Sequence, residues 1–327
     1  MKVIQLSVIV PTYNREKDLE ECLSSILNQT FQPNEIIIVD NSNNNETEKM
    51  IETKKEIFKK RGIPIKYIKN PRENSLTLAR NIGVKNSFGE IILFLDDDVI
   101  LNKNYIEEIL KIYKKYPDAL GVQGYILRRN ISKIKNFINR IFYFSYYKKN
   151  ICRILPSMEA IHPSSLSTVI NCEWLSGANH SFKREVYEKF NYNYDENLKK
   201  YSEGEDLDFS YRIFKKFPNR LYITPHSKLV HKESQAGRIL GKELIYMKEV
   251  YGLYLFYKII DQNIKNKLIY LWSRVGKLIF NIGSSFFKLS PVELIKNIYL
   301  IRAYIYCLKH IKEIKNGELD FFNKTLK

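Results

Sequence analysis

The chain has 327 residues, of which 44% are hydrophobic, and a formal net charge of +17 at pH 7. A chain of this length exceeds what a single core usually fills, so we expect one large domain or a catalytic domain with an appendage. The composition argues against extensive disorder. The positive charge attracts polyanions such as anionic lipid headgroups or a phosphorylated ligand, although a lysine-rich compositional bias would give the same total.

The N-terminus and the cysteines indicate the cellular compartment in which we expect the protein. The opening MKVIQLSVIVPTYN has too short an apolar run for a secretory signal and lacks a small-residue cleavage site. No stretch reaches about 18 uninterrupted apolar residues, so we predict no transmembrane helix. The cysteines are Cys22, Cys152, Cys172 and Cys307. They form no CxxC pair and no zinc-ligand spacing, so we expect buried thiols in a reducing, cytoplasmic protein.

Short β-branched apolar runs alternate with helical patterns in the first third of the chain. The predicted strands are 7–10, 35–39, 65–68 and 91–95, and the predicted helices are 16–27, 47–61 and 76–86. Strands alternating with helices of this length indicate βαβ units. We therefore predict an α/β fold, with a mostly parallel sheet flanked by helices.

Polar side chains follow three of these strands directly. The clusters are Pro11-Thr12-Tyr13-Asn14, Asp40-Asn41-Ser42 and Asp96-Asp97-Asp98. Open α/β sheets bind ligands beyond the carboxyl ends of their strands. We therefore expect the three clusters to meet in space.

The acidic triplet has two interpretations. Three adjacent carboxylates repel one another, so the fold must offset that cost. A divalent cation would do so, because Mg²⁺ and Mn²⁺ prefer oxygen ligands and are often held by carboxylates together with substrate phosphates. A solvated acidic turn that caps the following helix would also carry these residues.

Five motifs in order resemble those of family 2 glycosyltransferases with the GT-A fold. They are SVIVPTYNR, ARNIG, FLDDD, WLSGAN and GEDLDFSYR, and the resemblance spans about residues 5–235. It implies an inverting, metal-dependent enzyme that transfers a sugar from a nucleotide-diphosphate donor, a UDP-sugar in the first instance. The Glu-Asp pair of the last motif favours a hydroxyl acceptor, because an ionised phosphate acceptor needs no base. Lipid-linked and cell-surface glycans are acceptors of this kind.

The resemblance assigns roles to particular residues. The residues that correspond to contacts with the nucleotide-sugar donor are Pro11, Thr12, Tyr13, Asn14, Asp40, Arg80, Asp96, Gly177, Ala178 and Asn179. The metal site corresponds to Asp96, Asp98 and His231, with Mn²⁺ or Mg²⁺ as the cofactor. Asp97 takes the variable middle place of the DxD motif and is interpreted as a surface carboxylate.

The acceptor side is assigned in the same way. Asp206 corresponds to the general base that removes the proton of the acceptor hydroxyl, and Glu205 lies near the acceptor. Trp174 is either an acceptor-stacking platform or a core residue. For Arg80, the alternative to phosphate contact is a helix-surface salt bridge. Asp208 and Arg212 lie four residues apart on one helix. For them, the alternative to a role in the site is an ion pair on the helix surface.

The sequence pattern changes after residue 120. Residues 128–153 contain eight Lys or Arg and no Asp or Glu, with apolar residues at helical spacing. A basic amphipathic helix suits the interface of an anionic bilayer, so we expect a peripheral protein on the inner face of the membrane. The alternative is that this segment packs on the catalytic domain or a second subunit. We divide the chain into a catalytic domain, 1–240, with 128–153 as an insert, and a helical, basic, aromatic-rich region, 241–327.

Other functions account for less of the sequence. A dehydrogenase would carry GxGxxG after the first strand, and a sugar nucleotidyltransferase would carry a Gly-rich basic loop there, whereas this chain has PTYNR. Nucleic-acid binding would leave the carboxylate cluster unexplained, so we expect no nucleic-acid partner. The alternative function is a catalytically inactive nucleotide-sugar-binding scaffold in a glycan assembly complex, although every expected acid is present.

Overall fold

The structure, a computed structural model, describes residues 4–127, 132–288 and 291–326. The chain separates into two compact units. Unit 1 comprises Met1–Arg129 and Ser165–Gly237, and unit 2 comprises Asn130–Ser164 and Arg238–Lys327. Most of the basic segment 128–153 therefore groups with the C-terminal region, while its residues 128–131 lie outside the described part of the chain.

The elements alternate as predicted in the first third of the chain. They begin with β1 Leu6–Thr12, α1 Glu16–Leu27, β2 Glu35–Asp40, α2 Glu46–Lys60, β3 Ile65–Lys69, α3 Leu76–Lys85, β4 Ile91–Phe94, β5 Val99–Leu101, α4 Tyr105–Lys115 and β6 Gly121–Leu127. The strands and helices predicted up to residue 95 are all present, each within two residues of its expected bounds.

The second part of the chain adds short strands and long helices. These are α5 Lys133–Ile141, β7 Tyr146–Lys148, β8 Arg153–Ile154, β9 Ala160–Pro163, β10 Ile170–Asn171, β11 His180–Lys183, α6 Glu185–Glu188, α7 Glu205–Lys216, β12 Leu221–His231, α8 Gly241–Ile259, α9 Ile264–Lys288, α10 Pro291–Lys309, α11 Ile311–Asn316 and α12 Asp320–Asn323. Helix α5 therefore covers only part of the basic segment 128–153, because the aromatic residues near the end of that segment form strand β7.

Unit 1 is built on a central sheet in which most paired residues lie in parallel pairs. The strand order is β10-β12-β6-β11-β4-β1-β2-β3, and β5 pairs with β12. The stretch β4-β1-β2-β3 is wholly parallel, so the carboxyl ends of these strands share one edge. β1 and β2 are buried along their whole length, as expected of strands covered by helices on both faces.

The helices of unit 1 cover the sheet with apolar faces at helical spacing. In α1 the buried positions are Leu19, Cys22, Leu23 and Ile26, a pattern typical of a core-facing helix. α3 lies close to β1, since a Cβ at Gly83 would overlap the side chain of Ile9. This close approach positions α3, which carries Arg80, against the sheet.

Unit 2 is mainly helical. The strands β7, β9 and β8 form a small sheet, and α10 packs on α8 and α9. All four cysteines of the chain are free and buried, as expected. In the described part of the chain, no helix is long and apolar enough to span a bilayer.

Candidate active site

The polar clusters at the strand ends do meet at one edge of the sheet. Thr12 Oγ1, at the end of β1, donates to Asp97 Oδ2 at 2.8 Å. The backbone N–H of Asn14 donates to Ser42 Oγ at 2.7 Å. Asn14 has a φ of 52°, in the left-handed region that Asn adopts more readily than most residues. The loop after β1 is therefore tied to both of the other clusters.

The remaining residues of the opening motif frame this loop. Pro11 is the penultimate residue of β1 and pairs with Val39 of β2. Tyr13 approaches the end of unit 1, because a Cβ on Gly237 would lie 2.6 Å from the Tyr13 carbonyl oxygen. Gly237 also has a φ of +67°, so glycine suits this position on two counts.

Asp96, Asp98 and His231 form a cluster with the chemistry of a metal site. One ligand atom from each residue lies within 4.8 Å of the other two. His231 Nε2 is 3.0 Å from Asp98 Oδ1 and 3.8 Å from Asp96 Oδ2. The antiparallel pairing of His231 with Val99 holds the end of β12 beside the acidic triplet. Carboxylate and imidazole groups are ligands that divalent cations accept, so the donor set fits such an ion.

Asp97 is buried, so its interpretation as a surface carboxylate is wrong. Besides the bond from Thr12, it accepts one from Arg15 Nη1 at 3.0 Å. The same nitrogen lies 3.6 Å from Asp98 Oδ2. Burial raises the pKa of Asp97 to about 7, although the charge of Arg15 opposes that rise. Arg15 thus offsets part of the repulsion within the triplet.

Arg15 has no role among the sequence-based predictions, although it is the last residue of the SVIVPTYNR motif. Its Nη2 donates to the Ser234 carbonyl oxygen at 3.1 Å, and its Nε donates to the Ala236 carbonyl oxygen at 2.5 Å. The Ser234 N–H in turn donates to Asp98 Oδ2 at 2.9 Å. The segment that follows His231 is therefore fastened over the acidic triplet by Arg15.

Arg80 joins three of the predicted site segments. It is 1% exposed, so the alternative of a helix-surface salt bridge is wrong. Its Nη1 lies 2.7 Å from Glu205 Oε2, while its Nη2 lies 3.6 Å from Asp96 Oδ1 and donates to the Gly177 carbonyl oxygen at 3.1 Å. Burial alone lowers the pKa of Arg80, but the charge of Glu205 and other acids outweighs it and raises the pKa overall. Arg80 is therefore a permanent cation with protein partners at both terminal nitrogens.

Glu205 and Asp206 open α7 and have different surroundings. Glu205 is buried against Arg80, whereas Asp206 is half-buried. Asp206 Oδ2 accepts the Gly177 N–H at 2.8 Å, and its Oδ1 accepts the Leu207 N–H at 2.8 Å. Burial raises the pKa of Asp206, partly opposed by these two hydrogen bonds and by Arg80. An aspartate with a raised pKa is suited to proton transfer near neutral pH.

The loop between Trp174 and β11 forms a backbone hydrogen bond to the acidic triplet. The Asp96 N–H donates to the Ala178 carbonyl oxygen at 3.1 Å. Asn179 is fully buried, and its Nδ2 donates to the Gly124 carbonyl oxygen at 3.0 Å. Gly177 connects this loop to Asp206 and Arg80 through its own N–H and carbonyl groups.

Two predicted alternatives concern side chains near this loop. Trp174 is 5% exposed, which matches the core alternative and leaves little ring surface for stacking. Arg212 Nη2 lies 2.9 Å from Asp208 Oδ2, so the i,i+4 pair is formed. Asp208 is fully buried, however, so the pair is not a surface pair.

Asp40 lies at the same edge, in register with Thr12, and is fully buried. Its Oδ1 accepts the Ser42 N–H at 2.8 Å. Its Oδ2 accepts from Tyr67 Oη at 2.8 Å and from Lys69 Nζ at 3.1 Å. Tyr67 and Lys69 come from β3 and carried no sequence signal of a role here.

Comparisons with known proteins find similar sequences and similar folds. The model of Glycosyl transferase family 2 matches residues 7–165. Glycosyltransferase GlyA of Streptococcus pneumoniae is 34% identical over 151 residues, which are 44% of this chain and 20% of that protein. This chain therefore covers about a fifth of the length of GlyA.

Two solved structures share the fold. The mannosyltransferase PcManGT from Pyrobaculum calidifontis, in complex with GDP-Man and Mn²⁺, is 16% identical with a TM-score of 0.59, covering 94% of this chain and 88% of that chain. S. aureus TarS in complex with UDP-GlcNAc is 17% identical with a TM-score of 0.57, covering 92% of this chain and 79% of that chain. With its five motifs, its match to the family model over residues 7–165 and its GT-A fold, the chain is similar to glycosyl transferase family 2 over nearly half of its length.

Proposed function

We propose that this chain is a metal-dependent glycosyltransferase that moves a sugar from a UDP-sugar to a hydroxyl group of a glycan, with inversion at the anomeric carbon. Lipid-linked and cell-surface glycans are the acceptor class we favour. One observation carries the proposal. The Asp96-Asp98-His231 cluster and Asp206 are joined by a continuous network through Arg80, Gly177 and the Ala178 carbonyl group.

The ligand set supports Mn²⁺ or Mg²⁺ as the cofactor. Aspartate oxygens suit both ions, and the imidazole of His231 is better suited to a transition ion such as Mn²⁺. A bound cation would supply positive charge to the donor diphosphate as it leaves. Arg15 Nη1 lies 3.6 Å from Asp98 Oδ2 and Arg80 Nη2 lies 3.6 Å from Asp96 Oδ1, so each carboxylate has a cation that orients it.

Asp206 is the proposed general base. The acceptor oxygen forms its bond to the anomeric carbon while the bond from that carbon to the diphosphate oxygen breaks, and the electron pair leaves with the diphosphate. The acceptor proton passes to the Asp206 carboxylate, whose oxygens each keep a second lone pair beside the backbone hydrogen bond. Glu205 is occupied by Arg80 and so serves to position that cation.

The nucleobase is assigned to the strand edge beside Asp40. A carboxylate accepts the N3–H of uracil, which supports UDP as the nucleotide. Lys69 is the exchangeable partner of this carboxylate, because its side chain is 39% exposed whereas Asp40 is fully buried. In the proposed complex the base N–H takes the place of the Lys69 ammonium. Pro11, Tyr13 and Asn14 line the same edge.

The test is turnover of a panel of nucleotide sugars with Mn²⁺, read as release of the nucleotide diphosphate and as the anomeric configuration of the product. Asp206→Asn should lower transfer by about 10²–10⁴-fold and keep donor binding, whereas Asp98→Asn should weaken metal-dependent donor binding. Normal transfer rates in both variants would reject the proposal. A product with retained configuration would reject the single displacement.

A further inference from the structure

The positive charge of the chain is concentrated in unit 2. Asn130–Ser164 and Arg238–Lys327 together contain 22 Lys or Arg and 8 Asp or Glu, which is +14 of the net +17. Unit 1, which holds the candidate active site, is therefore close to neutral. A polyanionic partner attracted by this charge would therefore bind unit 2.

Helix α9 of unit 2 turns an apolar face to solvent. The exposed side chains recur at intervals of three and four residues and are 43% to 77% exposed: Ile264, Leu268, Leu271, Val275, Ile279 and Ile282. On its opposite face Tyr270 and Ser273 are buried, and the half-buried Arg274 pairs with Glu249 of α8 at 2.9 Å. This is the reverse of a helix whose apolar stripe packs on its own core.

Helix α10 repeats this arrangement. Its exposed apolar side chains follow the same spacing and are 44% to 69% exposed: Leu294, Ile298, Ile301, Ile305 and Leu308. The buried residues Leu300, Ala303 and Cys307 come from another face, and α10 packs on α8. Both helices therefore keep an apolar stripe away from α8.

The two helices pack antiparallel against each other. Between the end of α9 and the start of α10, Asn297 Nδ2 donates to Ser285 Oγ at 2.8 Å. Further along, Tyr304 Oη donates to the Arg274 carbonyl oxygen at 3.2 Å. Because both helices contact α8 through their buried faces, their apolar stripes stay exposed to solvent, and we call the two stripes the outer apolar surface.

Helix α5, whose end contacts α9, adds exposed apolar side chains, and we count them with the outer apolar surface. In α5 no residue is buried, and Ile134, Phe137 and Ile141 are 74%, 65% and 45% exposed. The end of α5 is attached to α9 by a hydrogen bond from Trp272 Nε1 to the Ile141 carbonyl oxygen at 2.9 Å. Phe142 stacks on the Trp272 ring at 5.5 Å.

Exposed cations flank each apolar stripe. They are Lys133, Lys135 and Arg140 on α5, Lys265 and Lys267 on α9, and Arg302 and Lys309 on α10. Rows of exposed apolar side chains on neighbouring helices are uncommon on monomeric soluble proteins, because large exposed apolar patches mark contact sites. Apolar side chains bordered by Lys and Arg are the pattern of a helix that lies in the interface of an anionic bilayer.

We propose that the outer apolar surface binds a bilayer with anionic headgroups, with α5, α9 and α10 lying in the membrane interface. Charge decides between lipid and a second copy of the chain. Two copies meeting at this surface would bring together two units of +14 each, whereas anionic headgroups neutralise that charge. The proposal does not depend on the sugar chemistry of unit 1.

The test is flotation of the full chain with vesicles of phosphatidylcholine mixed with phosphatidylglycerol, and with phosphatidylcholine alone. The chain should float with the mixed vesicles and remain behind with phosphatidylcholine alone. The combined substitution Leu268→Gln, Leu271→Gln and Val275→Gln should abolish flotation. A matched control replaces Ile57 and Phe88, exposed apolar residues of unit 1, with Gln and should float normally.

A second pair of variants tests the charge without touching the apolar stripe. Lys265→Gln and Lys267→Gln should each weaken binding to mixed vesicles about fivefold, since a cation near such a surface contributes about 1 kcal/mol. Lys59→Gln and Lys60→Gln on α2 should leave binding unchanged. The proposal would be overturned if the variant Leu268→Gln, Leu271→Gln and Val275→Gln floated as well as the unmodified chain. It would also be overturned if the unmodified chain did not float with mixed vesicles. A dimer in lipid-free solution, seen by light scattering, that the same variant converts to a monomer would overturn it as well.

Discussion

Arg80 Nη1 and Glu205 Oε2 lie 2.7 Å apart, and both side chains are buried. The pair connects α3 to the first residue of α7, across 125 residues of sequence. Because Arg80 also reaches Asp96 and Gly177, the pair holds the acidic triplet and the loop beside Asp206 in one arrangement. The ion pair therefore positions the residues of the candidate active site relative to one another.

Removing one member of this pair should destabilise the protein strongly. Arg80→Ala leaves a buried carboxylate without its cation, so we expect a loss of about 3–5 kcal/mol in the free energy of unfolding. Glu205→Gln keeps a hydrogen-bond acceptor and should lose less. The control is Arg72→Ala, because Arg72 forms an exposed pair with Glu196 at 3.6 Å and should cost about 0–1 kcal/mol. Urea unfolding measures all three, and equal losses for Arg80→Ala and Arg72→Ala would refute the stabilising role of the buried pair.

The pH dependence of transfer should reveal Asp206. Burial raises its pKa above the ordinary aspartate value, which is about 3.9. A general base must be ionised, so kcat should rise with pH through that raised pKa and fall as the pH drops below it. Asp206→Asn should lower kcat by about 10²–10⁴-fold and remove this acid limb. If the acid limb persists in the residual activity of the variant, another group is the base.

Gly177 should not tolerate a side chain. A Cβ there would lie 2.9 Å from Glu205 Oε1 and 3.1 Å from Arg80 Nη2, so the buried ion pair would have to shift. We expect Gly177→Ala to lower kcat/KM by about 10–100-fold, because small displacements of catalytic groups are costly. Gly252→Ala is the control, since a Cβ there meets nothing within 4 Å. It lies inside α8 and should raise stability by about 0.8–1 kcal/mol.

Unit 2 has its own buried ion cluster, which makes stability depend on pH. Burial alone would raise the pKa of Glu249, but Arg274 and Lys277, each 2.9 Å away, outweigh it and lower the pKa. The stabilisation is present above the unfolded-state pKa of about 4.3 and is lost as pH falls through the lower folded-state value. Glu249→Gln should remove this dependence in denaturant unfolding from pH 7 downward. An unchanged pH profile in the variant would assign the acid sensitivity to other groups.

Much of unit 1 could be predicted because its signals are local. The apolar runs of β1, β2 and β4 and the polar residues that follow them identify the strands and the edge where Asp40 and Asp98 lie. β11 inserts antiparallel between β4 and β6, and its four residues carry no periodic signal that would announce it. Short strands of this kind depend on their neighbours more than on their own sequence.

The parts of the site that sequence reasoning missed depend on long-range contacts. Arg15 reaches Ser234 and Ala236, and Tyr67 reaches Asp40, through side-chain directions that no spacing specifies. The burial of Asp97 follows from the same contacts. In unit 2, the helical pattern of α9 and α10 was recognised, but a helical period does not say which way the apolar face turns.

The central claim is that Asp96, Asp98 and His231 hold a cation that binds the donor diphosphate, and calorimetric titration of UDP tests it most directly. The unmodified chain should bind UDP much more tightly with Mn²⁺ than with a chelator, and Asp98→Asn should lose that difference. Asp118→Asn, at a carboxylate that is 56% exposed, should keep it. UDP binding that is equally tight with and without Mn²⁺, in the unmodified chain and in Asp98→Asn alike, would contradict the claim.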